Sequence, residues 1–188
     1  MRIFLAIDLP LNIKNDIQGL EDKLKGYSRR MRLTPVKNLH ITVKFLGEQP
    51  DYALNKIRDI ATDVFSSIKP FEICLKKTGM FGGIRNPKIL WLGEENSDFI
   101  DMVNRVNSEL NIFRQEKNKP VCHLTIGRIK GMNANDAIDI LNICREFNRK
   151  KPLCFKVFNV YLYKSVLLRS GAIYEKIDTF KMKEIVDG

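Results

Sequence analysis

The spacing of apolar residues along the chain changes period several times, and each change marks a new element. Arg2 to Ile7 is nearly continuous in apolar residues, which predicts a first strand buried on both faces. Leu11, Ile13, Ile17, Leu20 and Leu24 then recur at helical spacing, predicting a helix from about Asn12 that ends at Gly26. The basic stretch Tyr27-Ser-Arg-Arg-Met-Arg32 reads as a solvated edge, and Pro35-Val-Lys-Asn38 as a turn into a strand that closes at Phe45-Leu46-Gly47. A second helix turns Leu54, Ile57, Ile60, Ala61, Val64 and Ile68 inward, with Asp51 as its predicted cap. Phe71 to Lys76 and Lys88 to Leu92 read as strands on either side of the Gly- and Pro-marked loop Phe81 to Pro87. A third helix starts at Asp98 with Phe99, Met102, Val103, Val106, Leu110 and Phe113 inward. Beyond the Lys117-Asn-Lys-Pro120 turn, Val121 to Lys130 is a strand. Asn133 or Asn135 caps a fourth helix built on Ala137, Ile138, Leu141, Cys144 and Phe147, which Arg149-Lys-Lys-Pro152 breaks. Leu153 to Tyr163 and Ala172 to Phe180 read as two long strands joined across Ser170-Gly171.

Two of these strands open on the same pattern. His40-Ile41-Thr42-Val43 and His123-Leu124-Thr125-Ile126 both read His, aliphatic, Thr, aliphatic, 83 residues apart, and they hold the only two histidines of the chain. Successive strand residues point to opposite faces, so in each copy His and Thr share one face while the aliphatics enter the core. The same offset carries Asp51 to Ala134, Phe71 to Cys154 and Leu90 to Ile173, so that each half reads helix, His-Thr strand, helix, strand, strand. The expected fold is α+β: one domain over residues 1–188, made of two similar lobes about an approximate twofold axis, each giving one motif. Mainly antiparallel sheets would face a central cleft, with helices outside.

Composition adds charge to this picture. The apolar fraction of 44% and charged fraction of 29% are ordinary for a globular protein, but 32 Lys and Arg against 22 Asp and Glu leave a net charge of +10. Such an excess suits a polyanion, with nucleic acid ahead of a membrane. Cys74, Cys122, Cys144 and Cys154 form no CxxC and lie in apolar surroundings, so all four read as reduced core residues of a cytoplasmic protein. No apolar stretch has the length to span a bilayer, and Asp8 and Pro10 interrupt the N-terminal apolar run too early for a signal peptide.

Two imidazoles facing one point suit a reaction that removes one proton and delivers another, because their ordinary pKa lies near neutrality. Thr42, Thr125 and Arg128 would hold non-bridging phosphate oxygens. With a basic surface and no carboxylate or thiolate to complete a metal site, the residues fit cleavage of an RNA phosphodiester without metal or cofactor, most naturally a strained 2′,3′-cyclic phosphate. Either motif alone would be read as structural; it is the duplication that points to chemistry. Arg128 lies five positions after His123, which an ideal strand turns to the opposite face unless Gly127 marks a bulge. Phe45 has the same odd offset from His40 and reads as core. Adjacent Cys122 and His123 point apart, which excludes a thiol dyad, and Gly82-Gly83 lacks the lysine of a P-loop.

These residues resemble the 2H phosphoesterases, whose signature is a pair of HxTx motifs, and within them the bacterial and archaeal RNA 2′,3′-cyclic phosphodiesterases, also described as 2′-5′ RNA ligases. The resemblance rests on Arg2 to Pro10, Asn38 to Gly47, Leu90-Trp-Leu-Gly93 and His123 to Arg128. It implies a bilobal fold and metal-free hydrolysis of a terminal 2′,3′-cyclic phosphate to a 2′-phosphate. It further implies His40 as proton donor, His123 as the acceptor that activates water, and Thr42, Thr125 and Arg128 as phosphate-binding residues. The partners expected are RNA ends or nucleotides bearing 2′,3′-cyclic phosphate, with no membrane, and the chain is expected to act as a monomer. Joining of RNA ends through a 2′-5′ linkage on the same site, and a non-catalytic RNA-end or nucleotide-binding module, are the alternatives.

Overall fold

The computed structural model describes residues 1–168 and 171–184, and among these it contains ten strands and four α-helices. In chain order they are β1 (Arg2–Asp8), α1 (Leu11–Leu24), β2 (Met31–Leu33), β3 (His40–Glu48), α2 (Ala53–Ser66), β4 (Phe71–Cys74), β5 (Lys77–Phe81), β6 (Ile89–Glu94), α3 (Ser97–Glu109), β7 (Cys122–Ile129), α4 (Ala134–Lys150), β8 (Cys154–Val157), β9 (Asn159–Leu168) and β10 (Gly171–Lys181).

Eight strands form one antiparallel sheet in the order β10-β9-β1-β3-β7-β6-β5, with β2 lying against β7. The expected antiparallel sheets are thus joined in one path, and the joint is narrow: β3 and β7 meet at a single pair, Ile41 opposite Leu124. From that joint the order reads outward alike on both sides. Strand β1 flanks β3 as β6 flanks β7, then β9 and β5 follow, and β10 has no counterpart. The second half therefore begins at β6. The sequence offset had matched β6 to β10, because both strands are apolar and fall at the right distance.

Alternation along the strands separates two environments. Ile3, Leu5 and Ile7 of β1, Ile41 and Val43 of β3, and Leu124 and Ile126 of β7 join the main core with the apolar faces of all four helices. Phe4 and Ala6, on the other face of β1, pack with Tyr163, Tyr161 and Tyr174 in a separate small cluster. Strand β1 is buried on both faces, as its composition requires. The helices end up on one face of the sheet, leaving the other open for chemistry.

Several boundaries differ from the sequence reading. Tyr27 to Arg32 runs into the short strand β2, and Lys77 to Phe81 forms a hairpin with β6. Leu153 to Tyr163 is two strands broken at Phe158: β8 pairs with β4, and β9 enters the large sheet. Helix α2 has no side-chain cap, so Asp51 does not act as one, and Leu11 and Ile138 point to solvent. Asn96 caps α3 just ahead of Asp98, and Asn133 caps α4 by accepting from the Asp136 N–H. Of the turn expected at Ser170-Gly171, Ser170 lies outside the described residues, while Gly171 opens β10 at φ 131°, a backbone that glycine adopts readily.

The cysteines also require correction. Cys122 and Cys144 are free and buried, as expected, but Cys74 and Cys154 are joined by a disulfide. They stand directly opposite each other on β4 and β8. Reading local surroundings and spacing motifs could not reveal a pair made by strands 80 residues apart.

Candidate active site

The Ile41–Leu124 pair places the two motifs. In an antiparallel ladder, one step either way from this pair sets His40 across from Thr125 and Thr42 across from His123, all on the face opposite the core aliphatics. Directly opposed residues have Cβ atoms about 5 Å apart. The four side chains that the sequence singled out as two separate pairs therefore share one patch, and all four are partly accessible. Because the ladder here is one pair long, the strands diverge on either side of it.

Each imidazole is fixed in the same way. Nδ1 of His40 lies 2.7 Å from the Asn38 carbonyl oxygen, and Nδ1 of His123 lies 2.9 Å from that of Val121, two residues upstream in both cases. A carbonyl only accepts, so each Nδ1 carries the proton and each neutral ring presents Nε2 as a lone pair. Rings wedge both in place. His40 packs edge-on against Tyr174 with centroids 5.2 Å apart and lies 5.0 Å from Phe4, while His123 packs edge-on against Phe81 at 4.9 Å. Burial holds both imidazoles below the ordinary histidine value. Their carbonyl hydrogen bonds oppose this, and for His40 the proximity of His123 adds to the lowering.

The bulge suspected at Gly127 is present, and it has a twin. Between Thr125 and Gly127 the register of β7 against β6 shifts by one, so that Ile126 and Gly127 are buried in succession and Arg128 comes out on the histidine face. In β3 the register against β1 shifts at Val43, so that Val43 and Lys44 are buried in succession and Phe45 comes out on the histidine face. Phe45, read from sequence as core, is 45% exposed and lies 5.9 Å from the Phe4 ring. Lys44 enters the interior in its place, with Nζ donating to Asn107 at 2.9 Å. Arg128 is exposed and forms no ion pair among the described residues.

Sequence reasoning missed the surroundings of the pair. Asp8 stands opposite His40 on β1, so the histidine face does carry a carboxylate. Burial pushes its pKa up, but Lys14 and Lys176, each 2.6 Å away, outweigh that and hold it below the ordinary value. Lys176 also lies 3.9 Å over the Tyr161 ring. Beside Thr125 stands Trp91, whose indole lies across Gly79 so closely that a Cβ there would clash. The Trp91 Nε1 is buried without a hydrogen-bond partner among the described residues. Alternation Phe4, Ala6, Asp8 along β1 was the available signal for Asp8; the partners from β9 and β10 had none.

Donor chemistry bears on metal binding. Among the described residues, one grouping of three potential ligands brings its donor atoms within 4.8 Å of one another, namely Glu72, Cys74 and Cys154. It lies on the β4–β8 pair, and two of its donors are spent on the disulfide. On the histidine face the carboxylate at hand, Asp8, is already engaged by two ammonium groups. No helix among the described residues is long and apolar enough to cross a membrane.

Comparison with known proteins agrees with this arrangement. The chain is 34% identical to an RNA 2′,3′-cyclic phosphodiesterase of Methanocaldococcus jannaschii, with 94% of this chain and 98% of the relative covered. It is 30% identical to a protein of the same name from Methanothermobacter thermautotrophicus, with 97% and 99% covered. Among solved structures, a Thermus thermophilus protein superposes with a TM-score of 0.79 at 22% identity and E. coli LigT with 0.76 at 21%, each over 97% of this chain and 98% of the other, which shows the fold. The family model for the 2′-5′ RNA ligase superfamily matches residues 9–167, and with both motifs inside that span the chain belongs to this superfamily.

Proposed function

We propose that the chain opens terminal 2′,3′-cyclic phosphates of RNA to 2′-phosphates without a metal, using His123 as base and His40 as acid. One observation carries the reading: two imidazoles from strands that touch at Ile41–Leu124 present their Nε2 atoms on one face, each locked by a carbonyl on Nδ1. In the step, His123 Nε2 takes a proton from water as its oxygen bonds to phosphorus. The bond from phosphorus to the ribose 3′ oxygen breaks, and His40, which must enter the step as the imidazolium with a second proton on Nε2, gives that proton to the oxygen, leaving a 3′-hydroxyl, a 2′-phosphate and a neutral His40. Thr42 and Thr125 hydroxyls and the Arg128 guanidinium steady the non-bridging oxygens as charge builds on them.

The order of acid and base comes from the family resemblance. Burial holds both rings below the ordinary value, and at His40 the raising by Asp8 is opposed by His123 and Lys14, so the charges around the pair do not choose between the two assignments. Relatives at 34% and 30% identity named for this activity also support the reading, and so does the fold shared with E. coli LigT, which has been crystallised with 3′-AMP. We take the halves to be two lobes of one domain that works as a monomer, since both histidines come from one chain. With a ribose 5′-hydroxyl replacing water, the same geometry would form a 2′-5′ linkage, as the superfamily description suggests.

The test is to offer oligoribonucleotides with cyclic-phosphate ends, in the presence of EDTA, and to identify the product. A 2′-phosphate formed at an undiminished rate is expected; a 3′-phosphate, or loss of turnover on chelation that added metal restores, rejects the proposed step.

A further inference from the structure

Strands β4 and β8 form a sheet of their own and take no part in the reaction described above. Phe71 and Ile73 of β4 and Phe155 and Val157 of β8 turn into the core, which puts Glu72, Cys74, Cys154 and Lys156 together on the other face. There Cys74 is opposite Cys154, and Glu72 is opposite Lys156. Opposite charges so placed attract, yet Glu72 forms no ion pair among the described residues. Its carboxylate lies instead against sulfur, with Oε2 3.7 Å from Cys74 Sγ. Sulfur bound in a disulfide has no proton to donate, so this contact is no hydrogen bond while the Cys74–Cys154 bond is intact. Glu94 of β6 anchors the strand, its Oε1 accepting from the Cys74 N–H at 2.8 Å and from Asn96 Nδ2 at 2.7 Å, and Asn96 Nδ2 also donates to the Glu72 carbonyl at 2.8 Å.

Two sulfurs and a carboxylate oxygen within 4.8 Å of one another are donors that zinc takes, at bond lengths of about 2.0–2.3 Å. Cys74 is buried, Cys154 half-buried and Glu72 exposed, so the cluster opens to solvent at Glu72 and a cation has a way in. We propose that reduction of the Cys74–Cys154 bond turns this face into a zinc site, held by both sulfurs and a Glu72 oxygen with water completing the tetrahedron. A dithiol supplies the two electrons and two protons that open the bond and itself becomes a disulfide. The cation then displaces the two thiol protons, which leave to solvent. Two thiolates beside Glu72 and Glu94 repel one another, and together they outweigh Lys156, so a dication removes a repulsion that the reduced face would otherwise carry. The site is separate from the histidine face, and the proposal does not depend on the reaction assigned there.

The test is to reduce the chain with dithiothreitol, remove the reductant by anaerobic gel filtration, and titrate with zinc and with cadmium, whose bonds to thiolate absorb in the ultraviolet. A single equivalent of zinc is expected to bind, with release of about two protons at pH 7. Cadmium is expected to give a thiolate band that the oxidised chain lacks and that the double variant Cys74→Ser, Cys154→Ser also lacks. Glu72→Gln, a change at an exposed side chain, should fold as wild type and weaken zinc binding at least about tenfold. No binding by the reduced chain, equal affinity in the oxidised and reduced chains, or a band that persists in the double variant through Cys122 or Cys144 overturns the proposal. Unchanged zinc affinity in Glu72→Gln overturns it as well, whatever the cysteine variants do.

Discussion

The strands β3 and β7 are built alike and surrounded differently. Each begins with a histidine locked by a carbonyl two residues upstream, alternates His and Thr on the open face, and bulges one residue beyond the threonine. What the bulge delivers is not the same. In β7 it turns out Arg128, with Arg32 alongside; in β3 it turns out Phe45, next to Phe4 and the tyrosines of β9 and β10. Asp8 stands beside His40 and no acidic residue acts on His123. Repeated geometry brings two imidazoles to one face, and unequal neighbours give them different surroundings, arginines beside one and aromatic rings beside the other.

The sharpest way to break this comparison is to remove one imidazole at a time. His40→Ala and His123→Ala should each lower turnover of a cyclic-phosphate end by about 10²–10⁴-fold, measured as kcat under saturating substrate. Near-normal rates in either variant would show that the likeness of the strands has no chemical meaning. Next, Arg128→Ala should lower kcat/KM about 10- to 100-fold through loss of a charged phosphate contact, and Phe45→Ala only about 2- to 10-fold. Equal effects at the two bulge positions would remove the contrast.

The halves are also joined at β4 and β8, equivalent strands of the two repeats. The disulfide closes 80 residues, so Cys74→Ser is expected to lower unfolding stability by about 4 kcal/mol under oxidising conditions. Chemical denaturation of wild type and variant measures it, with turnover at moderate temperature retained. The smallest effect concerns protons. Burial depresses both histidines in the folded chain, so on acidification the unfolded chain takes up their protons first. Their contribution to stability is therefore full above the ordinary histidine pKa of about 6.5 and declines as pH falls below it. Denaturation midpoints from pH 7.5 to 5 should show this decline, and it should be shallower in the variants lacking one ring.

Period-two reading was enough to find both motifs, to assign His and Thr to a shared face, and to bury β1 on both sides. It could not follow a bulge by itself. At Arg128 the neighbouring Gly127 gave a hint, but in β3 the residue that goes inward is Lys44, and no local rule predicts a buried lysine paired with Asn107. Phe45 was misread for that reason. Pairing between distant strands was equally silent: Arg32 on β2, Asp8 held by Lys176 of β10, and the Cys74–Cys154 bond all depend on which strands become neighbours. The repeat itself was legible, but its origin was displaced, because one apolar strand looks much like another until the sheet order is known.

The central claim is that two imidazoles act on one phosphate, one accepting a proton while the other gives it. The pH dependence of kcat/KM for opening a cyclic-phosphate RNA end, in wild type and in each single histidine variant, tests this most directly. The account predicts a bell for wild type, with the acidic limb lost from the residual rate of His123→Ala and the alkaline limb lost from that of His40→Ala. A bell that persists unchanged in both variants would contradict it.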